Sequence, residues 1–175
     1  MNRPLAVLDT SALILLLTSK QDDSPEEQDA ERRREAVREA IRSMQARHRF
    51  AIPSVVIAEL GRGGSPESDL EQLVGTIGRF RVLPLTLKAA IAAARIAQVA
   101  LARRQRGLGS ERGAVKFDVL ICATAHAHGA GCIITENPRD FAKHLESVGS
   151  AIEVRVPSEP PERGQIHLLQ RKPKC

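Results

Sequence analysis

The chain has 175 residues and a net charge of +5, with 42% hydrophobic and 27% charged residues. These proportions are typical of one folded domain and exclude wholesale disorder. The longest strongly apolar run, from Ala12 to Leu17, is too short to cross a bilayer, and no secretory signal precedes the first strand-like segment. We therefore expect a cytoplasmic protein without membrane contact.

Strand-like and helix-like segments alternate along the chain. The first half predicts a strand at Leu5–Leu8, a helix from Ala12 to Leu17, a helix at Glu31–Gln45, a strand at Phe50–Ile52, a helix begun by Pro53–Ser54, a helix at Leu70–Ile77 and a strand at Arg81–Leu85. The second half predicts a helix capped by Thr86 and ending near Gln105, a helix at Phe117–His128, a strand at Cys132–Thr135, a short helix from Arg139 and a strand at Ile152–Val156. This order predicts an α/β fold of three layers, α/β/α, in which the middle layer is a mainly parallel five-stranded sheet.

Two segments differ in composition from the rest. Residues 18–34 are polar and of mixed charge, and we predict an insertion there, either mobile or the exposed start of a helix. Residues 157–175 predict an extended basic tail, which leaves residues 1–156 as the folded domain.

Four acidic residues stand at the ends of four separate apolar runs. Asp9 closes Leu5–Leu8, and Glu59 follows the apolar run that begins at Val55; Asp118 precedes another run, and Asp140 comes shortly after the strand that begins at Cys132. Carboxylates are seldom buried unless they are paired or bind a cation. Because ligands of open α/β sheets bind beyond the carboxyl ends of the strands, one pocket can gather all four. Such a pocket suits a hard cation, Mg²⁺ or Mn²⁺.

Each acid also has a simpler explanation. Asp9 could be an N-cap, Asp118 a first-turn partner of the helix dipole, and Asp140 a cap of the last helix. Glu59 is the hardest to explain in this way, because it follows four apolar residues in mid-helix. The polar neighbours Thr10 and Ser11 have the same two alternatives, capping the helix or hydrogen bonding near a metal.

Four segments resemble the motifs of PIN-domain nucleases, in the order of that family, over residues 5 to 156. They are Leu8–Ala12, Ile57–Leu60, Asp118–Ala125 and Thr135–Phe141. The chain is most similar to the VapC-like toxins of bacterial toxin–antitoxin pairs. The resemblance implies a metal-dependent endoribonuclease with a five-stranded parallel sheet, often a homodimer, that a cognate antitoxin inhibits.

The resemblance also implies roles for individual residues. Asp9, Glu59 and Asp118 match the metal ligands of the family, and Asp140 matches the acid of its fourth motif; Thr135 and Asn137 match polar positions of that motif. With these four acids as the catalytic set, the bound metal would lower the pKa of a water and neutralise charge on the leaving oxygen.

A basic segment runs into the third acid. From Arg95 to Lys116 there are six basic residues and one acid, Glu111. In isolation such a run favours a solvated helix face plus a loop, but its place beside an acidic site favours contact with an RNA backbone. The candidate RNA-binding residues are Arg103, Arg104, Arg106, Arg112 and Lys116. Base stacking is excluded as the main recognition mode because the chain has no Trp or Tyr.

Two other functions compete with this prediction. A haloacid-dehalogenase-type phosphotransferase also places an aspartate at the end of its first strand, but it needs a second acid two residues later, where this chain has Ser11. A catalytically silent binding module on the same fold would be favoured by loss of one acid, whereas all four are present.

Overall fold

In a computed structural model of the chain, the described residues are 3–18, 22, 24–62, 75, 78, 80–105 and 116–157, without the side chains of 103–105. The predicted helix at Leu70–Ile77 falls almost entirely outside these residues, as does the predicted tail.

Five parallel strands form one sheet in the order β3-β2-β1-β4-β5, which confirms the predicted fold class. The strands are β1 (Leu5–Leu8), β2 (Arg49–Pro53), β3 (Arg81–Leu83), β4 (Cys132–Ile134) and β5 (Glu153–Arg155). The helices are α1 (Thr10–Leu17), α2 (Pro25–Met44), α3 (Ser54–Arg62), α4 (Leu87–Gln105), α5 (Phe117–Ala127) and α6 (Pro138–Glu146).

The two central strands are buried on both faces. Every residue of β1 and β4 is buried, so side chains of both alternating sets are covered, as expected for a parallel sheet between helical layers. The core is aliphatic, with Phe141 of α6 its largest fully buried side chain. No helix in the described ranges is long and apolar enough to cross a membrane.

Helix α2 is longer than its apolar spacing predicts, because it begins at Pro25 instead of Glu31. Ser24 caps it by accepting a hydrogen bond from the Glu27 N–H at 3.2 Å, and Pro25 takes the first helical position, where its missing N–H costs nothing. The second half of the predicted insertion is therefore regular helix. Arg34 of this helix is buried and pairs with two glutamates.

The strand order creates a crevice between β1 and β4. The chain passes from β1 outward to β2 and β3, and then returns to the other side of β1 to form β4. At such a reversal the loops that follow the two central strands diverge, which opens a binding crevice at their carboxyl ends. Asp9 follows β1 directly and Thr135 follows β4, so both lie at this crevice.

Candidate active site

Asp9 lies at the crevice with only 4% of its surface exposed. Its carboxylate accepts hydrogen bonds from the Ala12 N–H at 2.8 Å, from Ser11 Oγ at 2.8 Å and from Thr135 Oγ1 at 2.7 Å. Burial raises the pKa of Asp9 from 3.8 to about 6; the hydrogen bonds oppose this shift, and the charge of Asp118 adds to it. Asp9 therefore caps α1 as predicted, but a cap of a surface helix does not need such burial.

Asp118 and Asp140 share one amide. Asn137 Nδ2 donates to Asp118 Oδ2 at 3.4 Å and to Asp140 Oδ2 at 3.3 Å. Asp118, in the first turn of α5, is half-buried; burial raises its pKa, with a further contribution from Asp140. The pKa of Asp140 is lowered by its hydrogen bond from Asn137 and by Lys143, whose Nζ lies 3.3 Å from Asp140 Oδ1.

Glu59 lies on helix α3. It is partly buried, and Thr10 Oγ1 donates a hydrogen bond to Glu59 Oε2. Thr10 is the residue directly after Asp9, so this bond holds the α3 glutamate against the start of α1. A mid-helix glutamate that an adjacent hydroxyl orients in this way is a positioned group, not a solvated one.

Thr135 and Ser11 connect these groups into one network. Thr135 Oγ1 donates to Asp9 and accepts from the Asn137 N–H at 3.0 Å, so it links the first carboxylate to the amide between the other two. Ser11 Oγ donates to Asp9 and accepts from the Glu136 N–H at 3.0 Å. Through Thr135 and Asn137, hydrogen bonds connect Asp9, Asp118 and Asp140, and Glu59 is connected to this set through Thr10, the neighbour of Asp9 in the chain.

The donor set fits a hard cation. All of its ligand atoms are carboxylate, hydroxyl or amide oxygens, which Mg²⁺ and Mn²⁺ prefer. Among the described residues, Asp9, Glu59 and Asp118 form no ion pair with a basic side chain, and burial destabilises the charge of two of them. A bound cation would offset that cost. However, no three histidine, cysteine, aspartate or glutamate side chains of the described ranges stand close enough together to form a metal site. The four-ligand site thus stays a prediction.

The family model of the PIN domain matches residues 6–144, most of the chain. The chain belongs to the PIN domain family. The match spans all four predicted acids, from Asp9 to Asp140, and the five-stranded parallel sheet is the fold that the resemblance implied. No curated protein matches the chain.

Three solved structures show the same fold as this PIN domain. VapBC2 from Rickettsia felis, bound to a DNA fragment from its promoter, has a TM-score of 0.60 at 18% identity, covering 87% of this chain and 98% of the other. DNA-bound VapBC from Salmonella typhimurium has a TM-score of 0.58 at 23% identity, covering 90% of this chain and 99% of the other. VapBC-1 from nontypeable Haemophilus influenzae has a TM-score of 0.61 at 17% identity, covering 89% of this chain and 99% of the other.

The predicted RNA-binding residues of this PIN domain are only partly described. Arg103 and Arg104 lie in the last turn of α4, and their side chains are outside the description, as are Arg106 and Arg112 altogether. Lys116 is exposed at the N-cap position of α5, where its charge lowers the pKa of Asp118. The proposed RNA path along this segment therefore stays a prediction.

Two neighbours of the site were missed by the sequence analysis. His144 lies one turn after Asp140, and burial lowers its pKa although the charges of Asp118 and Asp140 favour the protonated ring. Its spacing of four residues from Asp140 was a usable signal. Arg33 of α2 lies 3.4 Å from Glu136 Oε2, a contact between distant parts of the chain for which the sequence carries no signal.

Proposed function

We propose that this PIN domain is a divalent-metal-dependent endoribonuclease and the toxin of a toxin–antitoxin pair. The observation that carries the proposal is the hydrogen-bonded set of Asp9, Asp118 and Asp140 at the crevice between β1 and β4, with Glu59 held by Thr10, the residue directly after Asp9. Asp9 and Asp118 are carboxylates whose charge burial disfavours, as expected for groups that a cation stabilises.

The residues supply position and charge for phosphodiester hydrolysis. When bound at these oxygens, Mg²⁺ or Mn²⁺ supplies a positive charge that lowers the pKa of a water and offsets charge on the phosphate. Asp9 is fixed by three donors, so its orientation costs little at the moment of reaction. Thr10 holds Glu59, and Asn137 holds Asp118 and Asp140 near one another, while the exposed edge of the site admits RNA.

Cleavage of a labelled single-stranded RNA tests the proposal. We expect cleavage with Mg²⁺ or Mn²⁺, none with EDTA, and a loss of roughly 100-fold or more in Asp118→Asn, since that change removes a charged group at the reacting centre. Glu39→Gln, which removes an exposed carboxylate of α2, is the matched control and should cleave at the wild-type rate. Cleavage by Asp118→Asn at the wild-type rate would make that residue a helix-dipole partner and refute its assignment.

A silent binding module is the second candidate function. It is favoured by the lack of three close metal-binding side chains within the described ranges. A module of this kind would bind RNA or a partner protein but release no cleaved product at any Mg²⁺ or Mn²⁺ concentration. Retained RNA binding by wild type without metal-dependent cleavage would establish this alternative.

The proposed partners follow from the neighbours of the fold. Structures that share it include VapBC structures and a toxin–antitoxin complex from Klebsiella pneumoniae, and from these we infer a cognate antitoxin for this chain. A homodimeric state and a cytoplasmic location are further proposals, which rest on the resemblance to VapC-like toxins. Co-expression with the product of the adjacent gene should give a complex whose RNA cleavage is suppressed. Light scattering on the isolated chain should give twice the monomer mass of 19.1 kDa. A monomer, or an adjacent gene product that leaves cleavage unchanged, would refute the respective inference.

A further inference from the structure

A basic cavity opens at the edge of the sheet opposite the carboxylates. It has a volume of about 250 Å³, and Arg3, Arg49, Arg81 and His128 contribute its charged or titratable lining. The strand register builds it: Arg49 is the partner of Leu5 and begins β2, and Arg81 begins β3. We call it the arginine pocket. It combines one arginine from before β1 with one arginine each from β2 and β3.

The positive charge of the arginine pocket is not neutralised by the described part of the chain. None of its described lining residues is acidic, and Arg3, Arg49 and Arg81 form no ion pair with another described residue. Elsewhere the chain does pair its arginines: Arg34 and Arg38 of α2 both contact glutamates. A set of three unpaired arginines at one concave surface therefore differs from the pattern on α2.

Most hydrogen-bond donors of these arginines remain available. Arg3 Nη1 donates to the Gln45 carbonyl at 3.2 Å, and Arg49 Nε donates to the Arg3 carbonyl at 3.3 Å. The guanidinium of Arg81 donates to no other described residue. Since each guanidinium carries five N–H groups, these contacts fix the position of two arginines and leave the greater part of their donors to a ligand.

Helix dipoles offset only part of this positive charge. Helices α2 and α5 end on this side of the sheet, and Arg3 donates to the carbonyl of the α2 C-cap, Gln45. Each helix end contributes about half a negative charge, so the two together balance roughly one of the three arginines. A net positive charge of about two remains.

We propose that the arginine pocket is a binding site for a phosphate group, from a free polyphosphate anion or from the RNA backbone. Planar guanidinium groups bind phosphate oxygens in pairs of hydrogen bonds, and several of them at one concave surface match a multiply charged oxyanion. The described lining holds no Phe, Tyr or Trp that could stack on a base, and its three guanidinium groups point to phosphate as the group recognised.

The site is separate from the carboxylate network. Arg49 pairs with Leu5, which precedes Asp9 by four residues; at about 3.3 Å per residue this is roughly 13 Å along the strand. Asp9 is not among the described residues that line the arginine pocket. The proposal therefore does not depend on catalysis, and each can fail without the other.

Calorimetric titration of the metal-free full-length chain with pyrophosphate tests the site. Removal of metal matters, because pyrophosphate binds Mg²⁺ itself. We expect saturable one-to-one binding to wild type and a dissociation constant raised roughly tenfold or more in Arg49→Gln/Arg81→Gln, since two charge-assisted contacts are lost. The matched control, Arg32→Gln/Lys88→Gln, removes the same charge from exposed helix positions and should bind as wild type does.

Both alternatives to the expected result overturn the proposal. No binding to wild type at millimolar pyrophosphate shows that the pocket is only a solvated basic surface. Equal weakening in the control and pocket variants shows that net charge acts without a site. Because the three substituted arginines and the lysine are exposed, thermal unfolding of each variant should match that of wild type, which excludes misfolding as the cause.

A second titration identifies the source of the phosphate. A short single-stranded RNA is titrated into Asp118→Asn, which keeps the RNA intact, with and without Arg49→Gln/Arg81→Gln. Weaker RNA binding in the pocket variant, together with competition by pyrophosphate, makes RNA the source. Unchanged RNA binding with lost pyrophosphate binding makes a free anion the source. Either result supports the phosphate site. If the pocket variant binds both RNA and pyrophosphate as tightly as the protein with intact arginines does, the proposal is overturned.

Discussion

Replacing Asp9 by asparagine should stabilise the metal-free protein. Burial raises the pKa of this carboxyl from 3.8 to about 6, so the folded state binds its proton more tightly than the unfolded chain does. The free energy of unfolding therefore falls as the pH rises between these two values, by about 1.4 kcal/mol for each pKa unit. Above pH 6 the full cost, about 3 kcal/mol, is present, and Asp9→Asn removes it.

The measurement is urea unfolding in EDTA, followed by far-UV circular dichroism because the chain has no Trp or Tyr. The difference between Asp9→Asn and wild type should rise between pH 4 and pH 6 and stay constant above, at up to about 3 kcal/mol. Subtracting the two curves cancels the titration of all other groups. The amide changes the hydrogen bonds from Ser11 and Thr135, but that contribution does not depend on pH.

Added Mg²⁺ should reverse the order of stability. A cation that binds only the folded state raises the free energy of unfolding with its concentration, and Asp9→Asn should lose most of this gain. A stability difference that does not vary with pH in EDTA would show that Asp9 titrates normally and refute the burial argument. An equal gain from Mg²⁺ in both proteins would exclude Asp9 as a ligand.

Three further predictions concern other parts of the chain. Arg34→Met should lower the free energy of urea unfolding by about 3 kcal/mol, because it leaves the Arg34 glutamate partners without their buried cation, whereas Arg42→Met on the exposed face should change it little; equal effects would contradict this. Gly129→Ala should lower the free energy of unfolding by about 1 kcal/mol in the same assay, because the residue has a φ of +66°, which alanine adopts with strain. An added Cβ meets no atom within 4 Å, so no steric clash adds to this cost, and no change in stability would show that the backbone relaxes. Arg103→Ala/Arg104→Ala should reduce the slope of log RNA affinity against log salt by about 0.7 for each lost contact, and an unchanged slope would remove this segment from the RNA path.

Local sequence patterns determined most of the helices and strands. Short apolar runs and one alternating segment predicted all five strands, and the alternation of strands with helices predicted their parallel arrangement. Thr86 does cap α4, accepting a hydrogen bond from the Ala89 N–H at 3.2 Å. The start of α2 was the clearest difference. Its signal, Ser24 followed by Pro25 and two glutamates, was present but carried no apolar residue, so the hydrophobic period alone began the helix too late.

The sequence also predicted which acids stand at strand and helix ends, because a carboxylate next to an apolar run is visible in one dimension. Tertiary structure decided how they are joined. Asn137 between Asp118 and Asp140, and Thr135 between Asp9 and Asn137, depend on β4 lying beside β1, a pairing of residues more than 120 positions apart. No local pattern encodes that pairing.

The arginine pocket shows the same limit more strongly. Arg3, Arg49 and Arg81 are separated by more than 30 residues each, and each by itself is an ordinary basic residue before or at the start of a strand. Parallel register pairs Arg49 with Leu5 and places Arg81 beside Ala51, two residues further along β2, and the three arginines line one cavity where their charges add. Strand propensity is local and can be read from neighbours along the chain. The charge at a sheet edge is a sum over strands, and only the order and register of those strands fix it.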